Sequence, residues 1–423
     1  MKKMRAYINV AKLRVNMALK REAVGNYPVE AYIEPTSFCN LRCPACPTGL
    51  RLGQRPTATL DEKLFKATID EIGDYVFRLW MYNWGEPLLH KRTPEMIAYA
   101  KAKELRVVLS SNLSIPLTDD YVERLVASGL DTLIVGLDGV TPETYGKYRV
   151  TGNLSLVRDN MRRIQAAKSR AGSQSPHVLW QFLVFRHNEH EIEEARRVHK
   201  DWGADSIKFA PAEMPIEPYR EGFEPSSLPQ YNMYHDENRL LRESERQMRT
   251  GRACSWLYGT FVLNPNGKVS PCCGVSAERN DFGEYASGAN FFDVWNGDKF
   301  RRARAMFANF GKGGSLNERQ REEIAHRIDG MAAGVNLSLA PDELICAKCP
   351  IPFRQDDVRG TILDAAYDLM HTFAHDPSPA RKLRSVVAYL LMGAPHFRDL
   401  ARDLTRKLSR KSSGEQPLPT PAA

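Results

Sequence analysis

The segment Cys39-Asn-Leu-Arg-Cys43-Pro-Ala-Cys46 closely follows the apolar run Val29–Glu34. Three thiolates on one short loop can bind three irons of a four-iron cluster, which takes four ligands, so one iron stays open to another ligand. A structural zinc ion is the alternative, but it needs four closed ligands, and the next cysteine along the chain is Cys254. The spacing therefore favours an iron–sulfur cluster over zinc.

Short β-branched runs alternate with amphipathic stretches through the first half of the chain. The pattern predicts strands at Val29–Glu34, Val76–Tyr82, Arg106–Ser110, Thr132–Leu137, Val178–Phe185 and Ser206–Phe209. It predicts helices at Leu60–Ile72 (after a capping Thr59), Asp119–Ser128, Leu156–Lys168 and Glu189–Trp202. Six βα units in sequence predict an α/β fold with a parallel sheet, curled into a full or partial (β/α)6 TIM-like barrel. Functional residues are then expected just after the strands.

Polar residues stand where several of these predicted strands end. Asn83-Trp84-Gly85-Glu86-Pro87 follows the second strand, Ser110-Ser111-Asn112-Leu113 the third and Gly136-Leu137-Asp138-Gly139 the fourth. The fifth strand carries Gln181 and leads into Asn188. Glu86, Asn112 and Asp138 could each be an ordinary loop or turn residue. A polar Gln181 on an apolar strand is more unusual, because it needs a partner, and a ligand could be that partner.

With these motifs in register, residues 28–215 resemble the radical S-adenosylmethionine (SAM) superfamily. The resemblance implies that Cys39, Cys43 and Cys46 hold a [4Fe-4S] cluster whose open iron binds S-adenosyl-L-methionine. It also implies reductive cleavage of that cofactor, hydrogen abstraction by the 5′-deoxyadenosyl radical, and an electron donor of the flavodoxin or ferredoxin type. The residues then expected to bind the cofactor are Gly85, Glu86, Asn112, Asp138, Gln181 and Asn188.

Two positions depart from the pattern of that family. The residue before the third cysteine, which is often aromatic in the family and lies near the adenine, is Ala45. The ribose-contacting serine of the fourth strand is replaced by Gly136. Neither position is expected to touch the cluster, so the departures concern nucleoside binding, for which Gln181 or Asn188 could compensate.

The remaining cysteines lie in the second half of the chain, at Cys254, Cys272, Cys273, Cys346 and Cys349. Asn266-Gly267 between two β-like runs is a strong hairpin signal, and the cysteine–glycine–cysteine arrangement around it resembles the SPASM/Twitch auxiliary-cluster group. The resemblance implies a small domain with a β-hairpin and helices. It also implies one auxiliary [4Fe-4S] cluster, held by Cys254, Cys272, Cys346 and Cys349. Spacing alone would suit a four-cysteine zinc site equally well.

Cys273 is the one cysteine that neither predicted cluster needs. It could be a small buried hydrophobe, or it could replace its neighbour Cys272 as a ligand. The alternative is a catalytic role as a hydrogen-atom donor to a substrate radical, because epimerases of this family use a cysteine in that way.

The net charge of +8 is unevenly distributed over the 423 residues. Residues 1–21 carry seven Lys or Arg and no acid, residues 381–411 carry nine Lys or Arg against two Asp, and the body between them is mildly acidic. This is not the footprint of a nucleic-acid-binding core. No apolar run approaches the roughly 20 residues of a membrane span, and no secretory signal is visible. We therefore predict a cytoplasmic protein whose cysteines bind metal.

Both basic ends of the chain have an apolar stripe at helical spacing. The N-terminal stripe comprises Met4, Ile8, Ala11, Val15, Ala18 and Leu19, and the C-terminal stripe comprises Phe397, Leu400, Ala401, Leu404 and Leu408. An apolar stripe beside cationic residues suits peripheral contact with an anionic membrane, here at its inner face. The alternative is that both stripes pack on the body and leave a solvated basic face.

The sequence therefore predicts five consecutive segments. They are a basic N-terminal helix at 1–27, a radical SAM partial barrel at 28–215, a connector at 216–252, the auxiliary-cluster domain at 253–358, and a basic helical extension with a disordered tail at 359–423.

The resemblance implies an oxidoreductase but leaves its substrate open. A carbohydrate-like or other small metabolite, which would be dehydrogenated, epimerised or deoxygenated, is favoured because only about 28 residues precede the first predicted strand. Peptide-modifying members of the family often carry a longer leader-recognition segment there. A maturase of a ribosomally made peptide is the alternative, since a partner protein could recognise the leader. A non-enzymatic iron–sulfur electron carrier or metal-binding protein is disfavoured, because it needs no methionine-binding turn at Gly85-Glu86.

Overall fold

The computed structural model describes residues 2–212, 223–232, 254–286, 288–308 and Cys346. These residues belong to one compact unit, Met1–Val358. Of the predicted connector only residues 223–232 are described. The predicted extension at 359–423, with the C-terminal apolar stripe, lies outside the described residues.

One mixed sheet organises the described residues. Its strands are β1 Glu30–Ile33, β2 Arg78–Trp80, β3 Arg106–Ser111, β4 Thr132–Gly136, β5 His177–Val184, β6 Ser206–Pro211, β7 Thr260–Leu263, β8 Lys268–Ser270 and β9 Gly283–Glu284. They are ordered β6-β5-β4-β3-β2-β1-β7-β8-β9. The strands from β6 to β7 in that order are parallel, and β8 and β9 are antiparallel. The predicted α/β fold with a parallel sheet is confirmed, and the described strands form an open, partial barrel.

Helices connect most of the parallel strands. They are α1 Lys2–Ala18, α2 Glu62–Ile72, α3 Thr93–Ala102, α4 Asp119–Ala127, α5 Pro142–Tyr148, α6 Leu154–Arg170, α7 Ile192–Val198, α8 Trp256–Gly259, α9 Phe291–Trp295 and α10 Asp298–Ala308. The capping residue of α2 is Asp61, whose carboxylate accepts hydrogen bonds from the N–H groups of Lys63 and Leu64. The predicted cap, Thr59, was therefore wrong by two residues.

The hairpin of the cysteine-rich half is continuous with the barrel sheet. Strand β7 pairs in parallel with β1, with Glu30 opposite Thr260 and Ile33 opposite Leu263. Gly267, in the turn that joins β7 to β8, has φ +80°, a backbone conformation that glycine adopts readily. The second group of cysteines is therefore attached to the same sheet as the first.

The two faces of the sheet differ in chemical character. Trp180 on β5 is fully buried and stacks on Trp202 at a ring-centroid distance of 5.2 Å, on the face that the helices cover. The opposite face, called here the inner face, carries Tyr32, Trp80, Gln181 and Lys208. Successive side chains of a strand point to opposite faces, and the strand register places these four on the same one. Trp80 and Gln181 are half-buried and Lys208 is exposed, so the described residues leave part of this face uncovered.

Candidate active site

The first three cysteines lie on a tightly turned loop after β1. The N–H of Cys46 donates to the carbonyl of Cys43 at 3.2 Å, and the N–H of Leu50 donates to the carbonyl of Cys46 at 2.9 Å. A Cβ atom at Gly49 would lie 2.5 Å from the Cys43 carbonyl oxygen, so the turn needs glycine at that position. The cysteines pack in an apolar cluster with Leu41, Ala45, Tyr148, Phe185, Ala212, Leu183 and Phe223.

The surroundings of these thiols suit an iron–sulfur cluster. Two polar donors approach the sulfurs, with Asn112 Nδ2 at 3.8 Å from Cys39 Sγ and Arg149 Nη1 at 3.9 Å from Cys43 Sγ. Hydrogen bonds to the sulfurs help to set the reduction potential of such clusters. Burial raises the pKa of Cys39 to about 12 and that of Cys43 to about 11, so binding of iron must displace protons from these thiols.

The geometry of the thiols also bears on the kind of metal site. Among the described residues, no three His, Cys, Asp or Glu side chains form a ligand group for a single metal ion. In a four-iron cluster each thiolate binds a different iron, so its ligands need not converge on one point. Three cysteine thiolates can ligate three irons of a [4Fe-4S] cluster, and Asn112 and Arg149 are placed to donate hydrogen bonds to the ligating sulfurs.

A buried ion pair holds Arg149 beside the cysteine loop. Arg149 Nε donates to Asp138 Oδ2 at 2.6 Å, and the N–H of Leu183 donates to Asp138 Oδ1 at 2.7 Å. A Cβ atom at Gly136 would lie 2.6 Å from Arg149 Nη2. The glycine at the position where the family has serine thus makes room for the guanidinium. Arg149 was missed at the sequence level, because nothing in the local pattern distinguishes this arginine from a surface residue.

Glu86 joins the loops that follow β2 and β3. Its carboxylate is buried and accepts hydrogen bonds from Ser111 Oγ and the Asn112 N–H, both at 2.7 Å, and from the Leu88 N–H at 3.1 Å. Asn112 in turn donates from Nδ2 to Asn40 Oδ1 at 3.1 Å. The structure therefore brings the predicted residues Glu86 and Asn112 together with the cysteine loop.

The backbone of the predicted methionine-binding turn is held by Glu34, which the sequence patterns did not reveal. Glu34 is fully buried, and its Oε1 accepts hydrogen bonds from the N–H groups of Trp84 and Gly85, both at 2.6 Å. A Cβ atom at Gly85 would lie 1.9 Å from the Thr36 carbonyl oxygen, so only glycine fits. Desolvation raises the pKa of Glu34 to about 7, although the two N–H donors and Arg55 oppose the rise.

We expect the Glu34→Gln variant to lose a pH dependence of stability. The raised pKa means that the folded state holds the proton more tightly than the unfolded chain does. The associated stabilisation is complete below the unfolded pKa of about 4.3 and is lost as the pH rises towards 7, for a total of about 3–4 kcal/mol. Denaturant unfolding at a series of pH values should show this decline in the wild type but not in Glu34→Gln, whose amide oxygen can still accept both hydrogen bonds.

The exposed Glu193→Gln variant, on α7, controls for the loss of one negative charge. Parallel stability profiles for the wild type and Glu34→Gln would contradict the raised pKa of Glu34.

Gln181 and Asn188 occupy different environments at the end of β5. Gln181 lies on the inner face in register with Gly136 and Lys208, and its side chain forms no hydrogen bond with the described residues. Asn188 is buried, donates to the carbonyls of Asp138 and Leu183 at 3.0 and 2.9 Å, and accepts from the Phe185 N–H at 2.7 Å. Asn188 therefore fastens the ends of β4 and β5, whereas Gln181 presents a polar group to the open face.

The described cysteines of the second group lie beside the inner face. Cys254, Cys272 and Cys273 pack with Tyr32, Trp80, Tyr82, Trp256 and Val262. Burial raises the pKa of Cys254 to about 12, and the neighbouring Cys272 adds to the rise. Trp84 Nε1 donates to the Val275 carbonyl at 3.1 Å, which joins this group to the predicted methionine-binding turn. Cys346 is half-buried, and Cys349 lies outside the described residues.

A charged cavity of about 740 Å³ lies on the hairpin side of the molecule. Its described lining includes Lys268, Asp281, Glu284 and Lys299, but no cysteine and no predicted cofactor-binding residue. We do not assign the cavity to the candidate site.

Comparison with known proteins identifies the family. Residues 33–199 match the Radical SAM superfamily, and residues 254–324 match the SPASM iron–sulfur cluster-binding domain. The chain belongs to the radical SAM superfamily and is an enzyme with a C-terminal SPASM domain. These matches imply a [4Fe-4S] cluster with S-adenosylmethionine and auxiliary iron–sulfur binding, as predicted. The alternative of a non-enzymatic electron carrier is therefore wrong.

Individual relatives differ in how much of the chain they cover. An AdoMet-dependent heme synthase of Methanosarcina barkeri is 34% identical over 127 residues, which span 30% of this chain and 36% of that enzyme. A PqqA peptide cyclase of Xanthomonas campestris is 20% identical over 297 residues, covering 66% of this chain and 76% of its own length. Streptococcus suis SuiB, solved with its precursor peptide SuiA, shares the fold with a TM-score of 0.51 and 15% identity, over 83% of this chain and 79% of SuiB.

None of the described helices is long and apolar enough to cross a bilayer.

Proposed function

We propose that this enzyme reductively cleaves S-adenosylmethionine and removes a hydrogen atom from a carbohydrate-like or other small polar metabolite. The product would be dehydrogenated, epimerised or deoxygenated. The observation that carries the proposal is the inner face. Aromatic side chains beside the second cysteine group lie there on the same sheet face as Gln181 and Lys208, whose side chains pair with none of the described residues.

The aromatic part of the inner face is a continuous cluster. The Tyr32 and Trp80 rings are stacked at a centroid distance of 5.4 Å, and Trp256 lies 5.2 Å from Tyr32. The same cluster contains Cys272 and Cys273. Small-molecule sites are lined mainly by such apolar and aromatic surfaces, with a few polar groups that orient the ligand. This surface supports the binding of a compact ring at the auxiliary cysteines.

The polar groups lie on β5 and β6 of the same face. Gln181 is half-buried and directly opposite Lys208, which is exposed and forms no ion pair with the described residues. An amide offers both a donor and acceptor, and an ammonium offers three donors. Together they suit hydroxyl, carbonyl or phosphate oxygens of a polar metabolite.

Each group of residues in the site would have a distinct role. Cys39, Cys43 and Cys46 would hold the cluster, which supplies an electron for cleavage of the bound cofactor. Gly85 and Glu86 would contact the methionine amino group, while Gln181 and Lys208 would contact the polar groups of the substrate. Asn112 would donate to a ligating sulfur, and Asp138 and Asn188 would hold the β4 and β5 ends in place. A flavodoxin- or ferredoxin-type protein would deliver the electron.

The second group of cysteines would bind one auxiliary cluster through Cys254, Cys272, Cys346 and Cys349. The proximity of Cys254 and Cys272 supports their pairing as ligands. A dry aromatic environment would favour electron transfer from a substrate radical over reaction with water.

Maturation of a ribosomally made peptide is a second candidate. It is favoured by the similarity to PqqA peptide cyclase, which extends over 76% of that enzyme. The open edge of the described sheet at β6 would also admit a longer substrate than an enclosed pocket would.

We expect a low-molecular-weight metabolite fraction to accelerate 5′-deoxyadenosine formation by about tenfold over the uncoupled rate, because bound substrate aligns its hydrogen with the radical. The reconstituted enzyme would be incubated anaerobically with S-adenosylmethionine, a strong reductant and either the metabolite fraction or the peptide fraction of a cell extract. Product is quantified by chromatography. Acceleration by the peptide fraction alone would favour the second candidate and contradict the first.

The Cys273→Ala variant extends the same assay to the reaction outcome. If Cys273 donates a hydrogen atom in an epimerisation, the variant forms 5′-deoxyadenosine without the inverted product. If the reaction is a dehydrogenation, the variant still forms product, provided that it retains its auxiliary iron. Loss of auxiliary iron in Cys273→Ala, with full iron in Cys272→Ala, would show that Cys273 is the ligand.

A further inference from the structure

Helix α1 is docked with its polar side inward. Asn9 is buried, where its Nδ2 donates to the Tyr27 carbonyl at 3.0 Å and its Oδ1 accepts from the Tyr27 N–H at 2.8 Å. Asn16 lies seven residues, or about two turns, further along the helix; it is also buried and donates to Asn26 Oδ1 at 2.7 Å. Leu13 is fully buried between these asparagines. The inward face of α1 is therefore fixed by specific hydrogen bonds.

The apolar stripe of the same helix points away from the body. The exposed fractions are 39% for Met4, 51% for Ile8, 44% for Val15 and 60% for Leu19 at the end of the helix. Only two other large hydrophobic residues, Phe38 and Val150, are exposed among the described residues. The stripe of the N-terminal helix therefore does not pack against the part of the body that the structure describes.

Helical spacing aligns these side chains into one row. Residues 4, 8, 15 and 19 fall within a narrow arc at 3.6 residues per turn, along a helix about 25 Å long. Apolar rows of this kind on a protein surface mark contacts with another protein or a membrane. The row is flanked by exposed Lys12 and by Arg21, and residues 1–21 contain no acid.

Charge distinguishes the potential occupants of this row. A second copy of the chain would place one α1 region, with seven cations, against another. The C-terminal segment 381–411 has nine cations against two acids, so it would also be repelled. An anionic lipid surface offers an apolar interior for the row and phosphate groups for the lysines and arginines.

We propose that α1 lies on an anionic lipid surface, with Met4, Ile8, Val15 and Leu19 inserted below the headgroups and the flanking cations beside the lipid phosphates. The body of the enzyme is then tethered through Asn9 and Asn16, which fix the orientation of α1. This surface is independent of the cysteine sites and of the proposed reaction.

The test is co-sedimentation of the full-length protein with vesicles of phosphatidylcholine alone or of phosphatidylcholine mixed with phosphatidylglycerol. We expect at least about tenfold stronger binding to the mixed vesicles at low salt, and a loss of this preference at high salt. An Ile8→Gln, Val15→Gln, Leu19→Gln triple variant should bind the mixed vesicles about tenfold more weakly, because its polar side chains cannot enter the apolar layer. Circular dichroism and unchanged 5′-deoxyadenosine formation would confirm that it is folded.

Charge reversal at two exposed lysines distinguishes a local contribution of α1 to vesicle binding from the effect of the protein's net charge. Lys12→Glu should weaken binding, whereas Lys66→Glu, on the exposed side of α2, should not. Equal binding of the wild type and the triple variant would overturn the proposal, as would equal effects of the two charge reversals. A wild-type dimer that the triple variant converts to a monomer, without vesicle binding by either, would show instead that a second copy covers the row.

Discussion

Replacement of Cys39, Cys43 and Cys46 by alanine in one variant is expected to abolish 5′-deoxyadenosine formation and to remove roughly half of the iron. Two four-iron clusters would give about eight irons per chain, and these three thiols are the proposed protein ligands of one of them. The replacements should leave the fold intact, because each removes only one sulfur atom from an apolar cluster. Iron analysis after anaerobic reconstitution and chromatography of the nucleoside product would measure both effects.

The matched control replaces Cys254 and Cys272 by alanine. This variant should lose about the other half of the iron but still form 5′-deoxyadenosine without substrate, because the first three cysteines are unchanged. Continued cleavage in the Cys39, Cys43 and Cys46 variant would refute the assignment of the catalytic cluster. Loss of nearly all the iron in both variants, with no cleavage in either, would show that the two sites assemble only together.

The fold was largely predictable because its signals are local. All six predicted strands of the barrel are present, with ends shifted by at most a few residues, since buried parallel strands are recognisable as β-branched runs between turn residues. Helices α3 and α5 were not predicted. The outward side of α3 is partly apolar, and α5 has only seven residues, so neither shows a clear amphipathic period.

The continuation of the sheet through β7 could not be predicted from the sequence. The hairpin signal at Asn266-Gly267 is local and reliable, but the pairing of β7 with β1 joins residues more than two hundred positions apart. A parallel partner is chosen by packing and register, which no short motif specifies. The sequence therefore predicted the hairpin but not the strand to which it is attached.

The same difference between local and long-range signals applies to the site residues. The cysteine spacing and the strand-end polar groups are local, and they indicated which loops carry the chemistry. Glu34 and Arg149 are important through contacts with distant residues, namely the Trp84-Gly85 backbone and Asp138. A buried charged residue has no sequence signature of its own, because its partner is defined only when the chain is folded.

Replacing either Arg149 or Asp138 is expected to lower the free energy of unfolding by several kcal/mol, because the two side chains form a buried ion pair. Asp138 is fully buried and Arg149 is mostly buried, with 2.6 Å between Nε and Oδ2. Removing one partner of such a pair leaves an uncompensated buried charge, at a cost of about 3–5 kcal/mol. We expect Arg149→Met and Asp138→Asn each to lower the free energy of unfolding by this amount. The double variant should be less destabilised than the sum of the two single variants.

Iron content distinguishes the two roles of the guanidinium. Arg149 also places Nη1 3.9 Å from Cys43 Sγ, a contact that Asp138 does not make. The double variant should therefore recover much of its stability but retain less iron at the first cluster than the wild type, because the Cys43 thiolate has lost its cationic neighbour. Denaturant unfolding of the four proteins, with iron analysis of the same samples, measures both quantities. Full iron retention in the double variant would mean that Arg149 only neutralises Asp138. Additive losses of stability would mean that the two side chains do not act as a pair, and that Gly136 leaves room for a guanidinium with some other partner.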